Sequence, residues 1–199
     1  ITPPLPGPGL RFTNITETAG TGGPRVGARG IMFAEVNNDS LPDFYLTNIL
    51  DGEIKREYYF ENLDGATFAE LAVERGIDDA DGSYGAVWAE TRGVTAFDMD
   101  NDGDLDLYGA SGGNTPGANE AYLNGLIGGA GAFDFTNHAD VALTTADVKN
   151  GVTDTDYDND GDIDIIAANT TGQFVFLQND GTGTFVTVVP STVGIIDPV

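Results

Sequence analysis

Three short segments concentrate the oxygen chemistry of this chain. Asp98-Met99-Asp100-Asn101-Asp102-Gly103-Asp104-Leu105-Asp106 and Asp156-Tyr157-Asp158-Asn159-Asp160-Gly161-Asp162-Ile163-Asp164 nearly superimpose, and Glu35-Val36-Asn37-Asn38-Asp39-Ser40-Leu41-Pro42-Asp43 is a weaker third copy. Oxygen-bearing side chains at positions 1, 3 and 5 of such a loop curl round one point, and Gly at position 6 permits the sharp turn. Position 7 lends its backbone carbonyl, a role open to Leu41 as well as to Asp104 and Asp162, and the last two side chains are then expected toward solvent. Position 9 closes the loop with Asp43, Asp106 or Asp164. A cage of oxygens suits a hard cation, and six to eight of them at roughly 2.3–2.6 Å suit calcium. The candidate ligands are Asp98, Asp100, Asp102, Asp104 and Asp106; Asp156, Asp158, Asp160, Asp162 and Asp164; and Glu35, Asn37, Asp39, Leu41 and Asp43. Without a cation, carboxylates brought this close would repel one another. Two calcium sites are expected, with a third of lower affinity, because the first loop keeps fewer carboxylates and replaces the Gly by Ser40.

The elements that position these loops are strands. A helix–loop–helix site would need Glu at position 12, where this chain has Gly109 and Ala167. The closing acid instead leads into an apolar run: Phe44-Tyr45-Leu46, Leu107-Tyr108, or Ile165-Ile166-Ala167-Ala168. The alternation around Asp106 and Asp164 has period two, so closing acid and core residues share a strand. Upstream, a Gly stands five residues before each loop, at Gly30, Gly93 and Gly151, and opens another short run. Asn occupies position 4 in all three copies, at Asn38, Asn101 and Asn159. A third run follows each loop, through Tyr58-Tyr59-Phe60, Ala121-Tyr122-Leu123 and Phe174-Val175-Phe176, and the Asp64-Gly65 and Asp180-Gly181 pairs after it signal hairpins. A Phe then opens the next run, at Phe68, at Phe133 or Phe135, and at Phe185.

Composition sets the outer limits. The 199 residues hold 32 Asp+Glu against 8 Lys+Arg, a net charge of −24, which argues against nucleic acid and anionic membranes as partners. Three bound dications would offset only part of that charge. With 11 Phe, 7 Tyr and 40% hydrophobic residues the chain can build a core, and its 28 Gly mark many turns. No cysteine is present, so disulfides and thiolate metal sites are excluded. No stretch approaches the roughly 20 apolar residues of a membrane span, so no membrane insertion is expected. Ile1-Thr2-Pro3-Pro4 has neither the basic start nor the apolar run of a leader, as in a mature or trimmed chain.

The D-x-D-x-D-G-x-x-D loop, the apolar strand after it, the N-x-D-G-x-x-F turn and the F-x-x-x-T-x-x-A-G segment from Phe12 to Gly20 together resemble the FG-GAP/VCBS repeats of integrin-α-type propellers and bacterial secreted proteins. The resemblance implies an all-β fold: about three four-stranded antiparallel, β-propeller-like blades, each with a calcium loop between two strands. Closed propellers use four to eight blades, so an open or incomplete propeller is expected. Three ways out are open: a fragment, a compact sandwich, or copies joined edge to edge. The chain divides into a Pro-rich arm (1–11), repeats over 12–67, 68–132 and 133–184, and a C-terminal strand or tail (185–199).

The resulting expectation is a secreted, extracellular structural protein that associates with itself, head to tail and into fibres, through terminal strands. The alternative is an adhesin or lectin-type module, as a fragment of a larger secreted protein, that binds a glycan or a cell-surface protein. Tyr58, Tyr59, Tyr84, Trp88, Tyr108 and Tyr122 are the aromatic candidates for such a platform. Catalysis is not expected: His138 is the single histidine, and no nucleophile elbow of the G-x-S-x-G type is present.

Overall fold

A computed structural model describes residues 13–22, 27–48, 57–77, 91–111, 119–126, 133, 135–138, 150–169 and 174–188. Among them there is no helix. The described residues include twelve strands in three four-stranded antiparallel sheets, each taking its strands in chain order. The first sheet is β1 (Ala28–Ala34), β2 (Asp43–Asn48), β3 (Tyr58–Asn62) and β4 (Phe68–Glu70). The second is β5 (Thr91–Phe97), β6 (Asp106–Ser111), β7 (Glu120–Asn124) and β8 (Phe135–Asn137). The third is β9 (Val152–Thr155), β10 (Asp164–Ala168), β11 (Phe174–Asn179) and β12 (Phe185–Val188). The all-β, blade-like architecture read from the repeats is the observed one. No described helix is long and apolar enough to cross a membrane, which says nothing of β-barrels.

Each acidic loop joins the first strand of a sheet to the second, and register pairs its two ends: Ala34 with Asp43, Phe97 with Asp106, and Thr155 with Asp164. The second strands are apolar on both faces because successive side chains point to opposite sides. Tyr45 faces the second sheet while Phe44 packs outward with Phe60 and Phe68. Leu107 meets the first sheet and Tyr108 the third, and Ile165 returns the contact from β10. Tyr45, Leu107, Tyr108 and Ile165 are all essentially inaccessible to solvent. Burying a side chain of this size stabilises by about 1.5–3 kcal/mol, so stacking of sheets is the main cohesive term.

Hairpins close where Asp-Gly pairs signal them. After β3, Asn62 Oδ1 accepts the Gly65 N–H at 2.8 Å and Asp64 Oδ1 accepts the Thr67 N–H at 2.7 Å. Phe68, Phe135 and Phe185 therefore open the fourth strand of the sheet that precedes each boundary drawn from the sequence. Phe185–Val188, assigned to a terminal strand or tail, is hydrogen-bonded to β11 within the third sheet. The arm over 1–11 and the rest of the tail lie outside the described residues.

A turn packed on a fourth strand occurs twice. The turn ending in Ala19-Gly20 lies on β4, with Phe68 N–H donating to Ala19 O at 2.9 Å. The turn ending in Arg75-Gly76 lies in the same way on β8, with Phe135 N–H donating to Arg75 O at 2.8 Å. Arg75 adds an ion pair to Glu61 at 2.7 Å, a hydrogen bond to Phe133 O at 3.1 Å and a cation–π contact with the Phe133 ring.

Candidate metal centres

The loops owe their shape to left-handed residues at positions 4 and 6. Asn38, Asn101 and Asn159 have φ near +60°, which Asn tolerates better than most L-residues, and this accounts for Asn at position 4 in every copy. Position 6 has φ of 100° and 101° at Gly103 and Gly161, while Ser40 is held at 71°. The first loop thus keeps the backbone course of the others at the cost of strain.

That course brings acids together. Carboxylate oxygens of Asp98, Asp100 and Asp106 lie within 4.8 Å of one another, as do those of Asp156, Asp158 and Asp164. Positions 1, 3 and 9 therefore converge in the second and third loops. Position 5 stands outside these groups: Asp102 Oδ1 accepts the Asp104 N–H at 3.1 Å, and Asp160 Oδ1 accepts the Asp162 N–H at 3.0 Å. Position 7 departs from expectation at Asp104, whose side chain is buried and not solvent-facing, whereas Asp162 stays at the surface, where its Oδ1 accepts a hydrogen bond from Asn101 Nδ2 at 2.8 Å.

The first loop differs at its closing acid. Asp43 accepts the Asn62 N–H at 2.8 Å and the Tyr59 hydroxyl at 2.7 Å. Glu35 Oε1 and Asn37 Oδ1 both accept the Asp39 N–H, at 3.0 and 3.1 Å, and Asp39 Oδ1 accepts the Leu41 N–H at 2.8 Å. Among the described residues this loop contributes no group of three converging acids.

Burial and hydrogen bonding hold the closing acids in place. Asp106 Oδ1 accepts the Asn124 N–H and Oδ2 the Met99 N–H, each at 2.7 Å. Asp164 repeats this with Asn179 at 2.8 Å and Tyr157 at 3.1 Å. Despite those donors, burial together with the charges of Asp100 and Asp104 pushes the Asp106 carboxyl up to about 7. Burial likewise raises Asp164, Asp100 and Asp43.

The donor set fits a hard metal ion. It is all oxygen, the carboxylates converge, and one oxygen in each group, Asp100 Oδ1 and Asp156 Oδ1, is buried without a hydrogen-bond partner. A dication there would favour the ionised form that burial disfavours. Both groups could therefore hold a metal ion.

Asn62, Asn124 and Asn179 lie outside the nine-residue loops, yet each ends the third strand of its sheet and donates its backbone N–H to a closing acid. Their shared place in the repeat was the signal. The aromatic candidates divide differently: Tyr58, Tyr59, Tyr108 and Tyr122 are buried and form no surface platform, while Tyr84 and Trp88 lie outside the described residues. His138 Nε2 is 2.7 Å from Gly183 O, a hydrogen bond that ties the second sheet to the β11–β12 turn.

Two comparisons bear on identity. Cartilage acidic protein 1 of Xenopus tropicalis is 26% identical over 144 residues, which cover 72% of this chain and 20% of that protein. The chain thus spans about a fifth of the length of this curated relative. The FG-GAP-like repeat family matches residues 156–198, from the first acid of the third loop past the end of β12. The matched unit is thus similar to an FG-GAP-type repeat and includes the third acidic loop, and the first two sheets follow the same strand order.

Proposed function

We propose that this protein is an extracellular, calcium-stabilised repeat module with a structural and binding role and no catalytic one. The observation that carries the reading is the pair of converging acid groups, each with a buried carboxylate oxygen that lacks a partner. Calcium is preferred because the donors are hard oxygens and its coordination tolerates irregular geometry, whereas the smaller magnesium ion demands a near-ideal octahedron. Sites of this kind fill at the millimolar calcium found outside cells. A relative named for cartilage and for its acidity agrees with that compartment.

Thermal unfolding in calcium, in magnesium and in EGTA tests this reading. Binding to the folded state alone should raise stability by about 2.7 kcal/mol per site at a hundredfold excess over Kd. The midpoint should rise markedly in calcium and less in magnesium. Equal midpoints in calcium and EGTA would refute it.

Self-association remains part of the proposal. Ile31 and Phe33, on the outer face of the first sheet, are 57% and 61% exposed, and Phe33 adjoins the apolar cluster of Phe44, Tyr58 and Phe60. Another sheet of this kind, from a second copy, would cover that face. Light scattering in calcium and then in chelator decides: large species that EGTA dissolves support it, and a monomer in both conditions overturns it in favour of a glycan or protein ligand.

A further inference from the structure

Asn179 is 3% exposed and touches two acidic loops at once. Its backbone N–H holds Asp164, the closing acid of the third loop. Its side-chain Nδ2 donates to Ile163 O at 3.1 Å in that same loop and to Met99 O at 2.9 Å in the second. Met99 in turn donates its N–H to Asp106, the closing acid of the second loop. Only two residues, Met99 and Asn179, therefore connect the closing carboxylate of one loop to that of the next. A parallel link runs over the surface, where Asn101 Nδ2 donates to Asp162 Oδ1 at 2.8 Å and to Gly181 O at 3.1 Å.

Asn124 repeats the plan one sheet earlier. Its N–H holds Asp106, and its Nδ2 donates to Leu105 O at 3.1 Å and to Val36 O of the first loop at 2.8 Å. Asn62, in the first sheet, makes the bonds within its own loop, to Asp43 and Pro42. The cross-loop bond thus appears at both joints between described sheets.

We infer that Asn179, assisted by Asn101, is a positioning residue that couples the second and third loops, so that an ion in either one raises the affinity of the other. The inference rests on the calcium reading above. An ion in the second loop orders Asp106 and, through it, the Met99 peptide. A fixed Met99 carbonyl fixes the Asn179 amide, and Asn179 is the residue whose N–H holds Asp164, the closing acid of the third loop. Order imposed by the first ion then need not be imposed again by the second, and linkage makes the effect equal in both directions.

Calcium titration calorimetry on the metal-stripped full chain tests this, with Asp100→Asn disabling the second loop and Asp158→Asn the third. The remaining site should bind about fivefold more weakly in each disabled protein than when its neighbour is filled, by the same factor in both. Asn179→Ser should bring that factor close to one. Asn101→Gly, which keeps the left-handed backbone, should lower it in part. A bond that only supported the fold would shift both affinities without changing the factor. If Asn179→Ser does not fold, Asn101→Gly carries the test, and an unchanged factor overturns the inference. Two ions bound with affinities indifferent to the neighbouring loop refute the coupling alone. No calcium heat in the wild-type chain refutes the calcium reading and the coupling together.

Discussion

Gly76→Ala should be far more damaging than Gly65→Ala, although both glycines sit in turns at positive φ, 71° and 82°. A left-handed conformation costs an L-residue about 1–2 kcal/mol, and both variants incur that cost. They differ in what surrounds the new methyl. At Gly65 no atom lies within 4 Å, whereas at Gly76 the Cβ would sit 2.6 Å from Phe135 O, a backbone atom of β8. Relief requires the turn to lift from the strand, which stretches the Phe135 N–H bond to Arg75 O and disturbs the Arg75 contacts with Phe133. Losing such a bond costs about 1 kcal/mol, and displaced packing about as much again. Gly76→Ala should therefore lose about 2 kcal/mol more than Gly65→Ala. With a urea slope of about 2 kcal/mol/M, that is roughly 1 M in midpoint. Urea unfolding of both variants in calcium measures it. Midpoints that agree within about 0.2 M would refute the view that the Gly76 turn locks the first sheet onto the second. Gly20, whose Cβ would lie 2.6 Å from Phe68 O, should behave like Gly76.

Ser40→Gly should raise stability by about 1 kcal/mol by relieving a left-handed Ser, and a thermal midpoint that does not rise would count against strain in the first loop. Leu107→Ala, at a site 1% exposed between the first and second sheets, should cost about 3 kcal/mol in denaturant unfolding, against less than about 0.5 for Val73→Ala at a site 55% exposed. Calcium-stripped protein should lose stability as pH rises. Asp106 is raised to about 7 when folded, so below about pH 4 both states are protonated, and above that the unfolded chain ionises first. The decline runs between about pH 4 and 7, with Asp106 contributing up to about 4 kcal/mol. Asp106→Asn should flatten it, and a decline of unchanged size in urea midpoints would refute the assignment.

The acidic loops were legible because their chemistry is local. A repeated D-x-D-x-D-G-x-x-D needs only its own spacing to bring Asp98, Asp100 and Asp106 into reach, and the left-handed Asn and Gly are written in the same stretch. The Asp-Gly hairpin after β3 and the strand that follows each loop are local in the same sense. The third-strand asparagines were harder to read. Asn in a turn is ordinary, and nothing near Asn179 in the chain says that its amide reaches Met99 in another sheet.

Sequence alone therefore determined an all-β repeat chain with two well-formed acidic loops and a weaker third. Tertiary structure alone decided which faces meet: that Tyr59 and Tyr108 are core and no platform, that Asp104 is buried, that Asp43 is held by Tyr59, and that neighbouring loops share an asparagine. The reason is physical. Period and turn chemistry act between residues a few positions apart, whereas burial and cross-sheet hydrogen bonds depend on which surfaces stacking brings together.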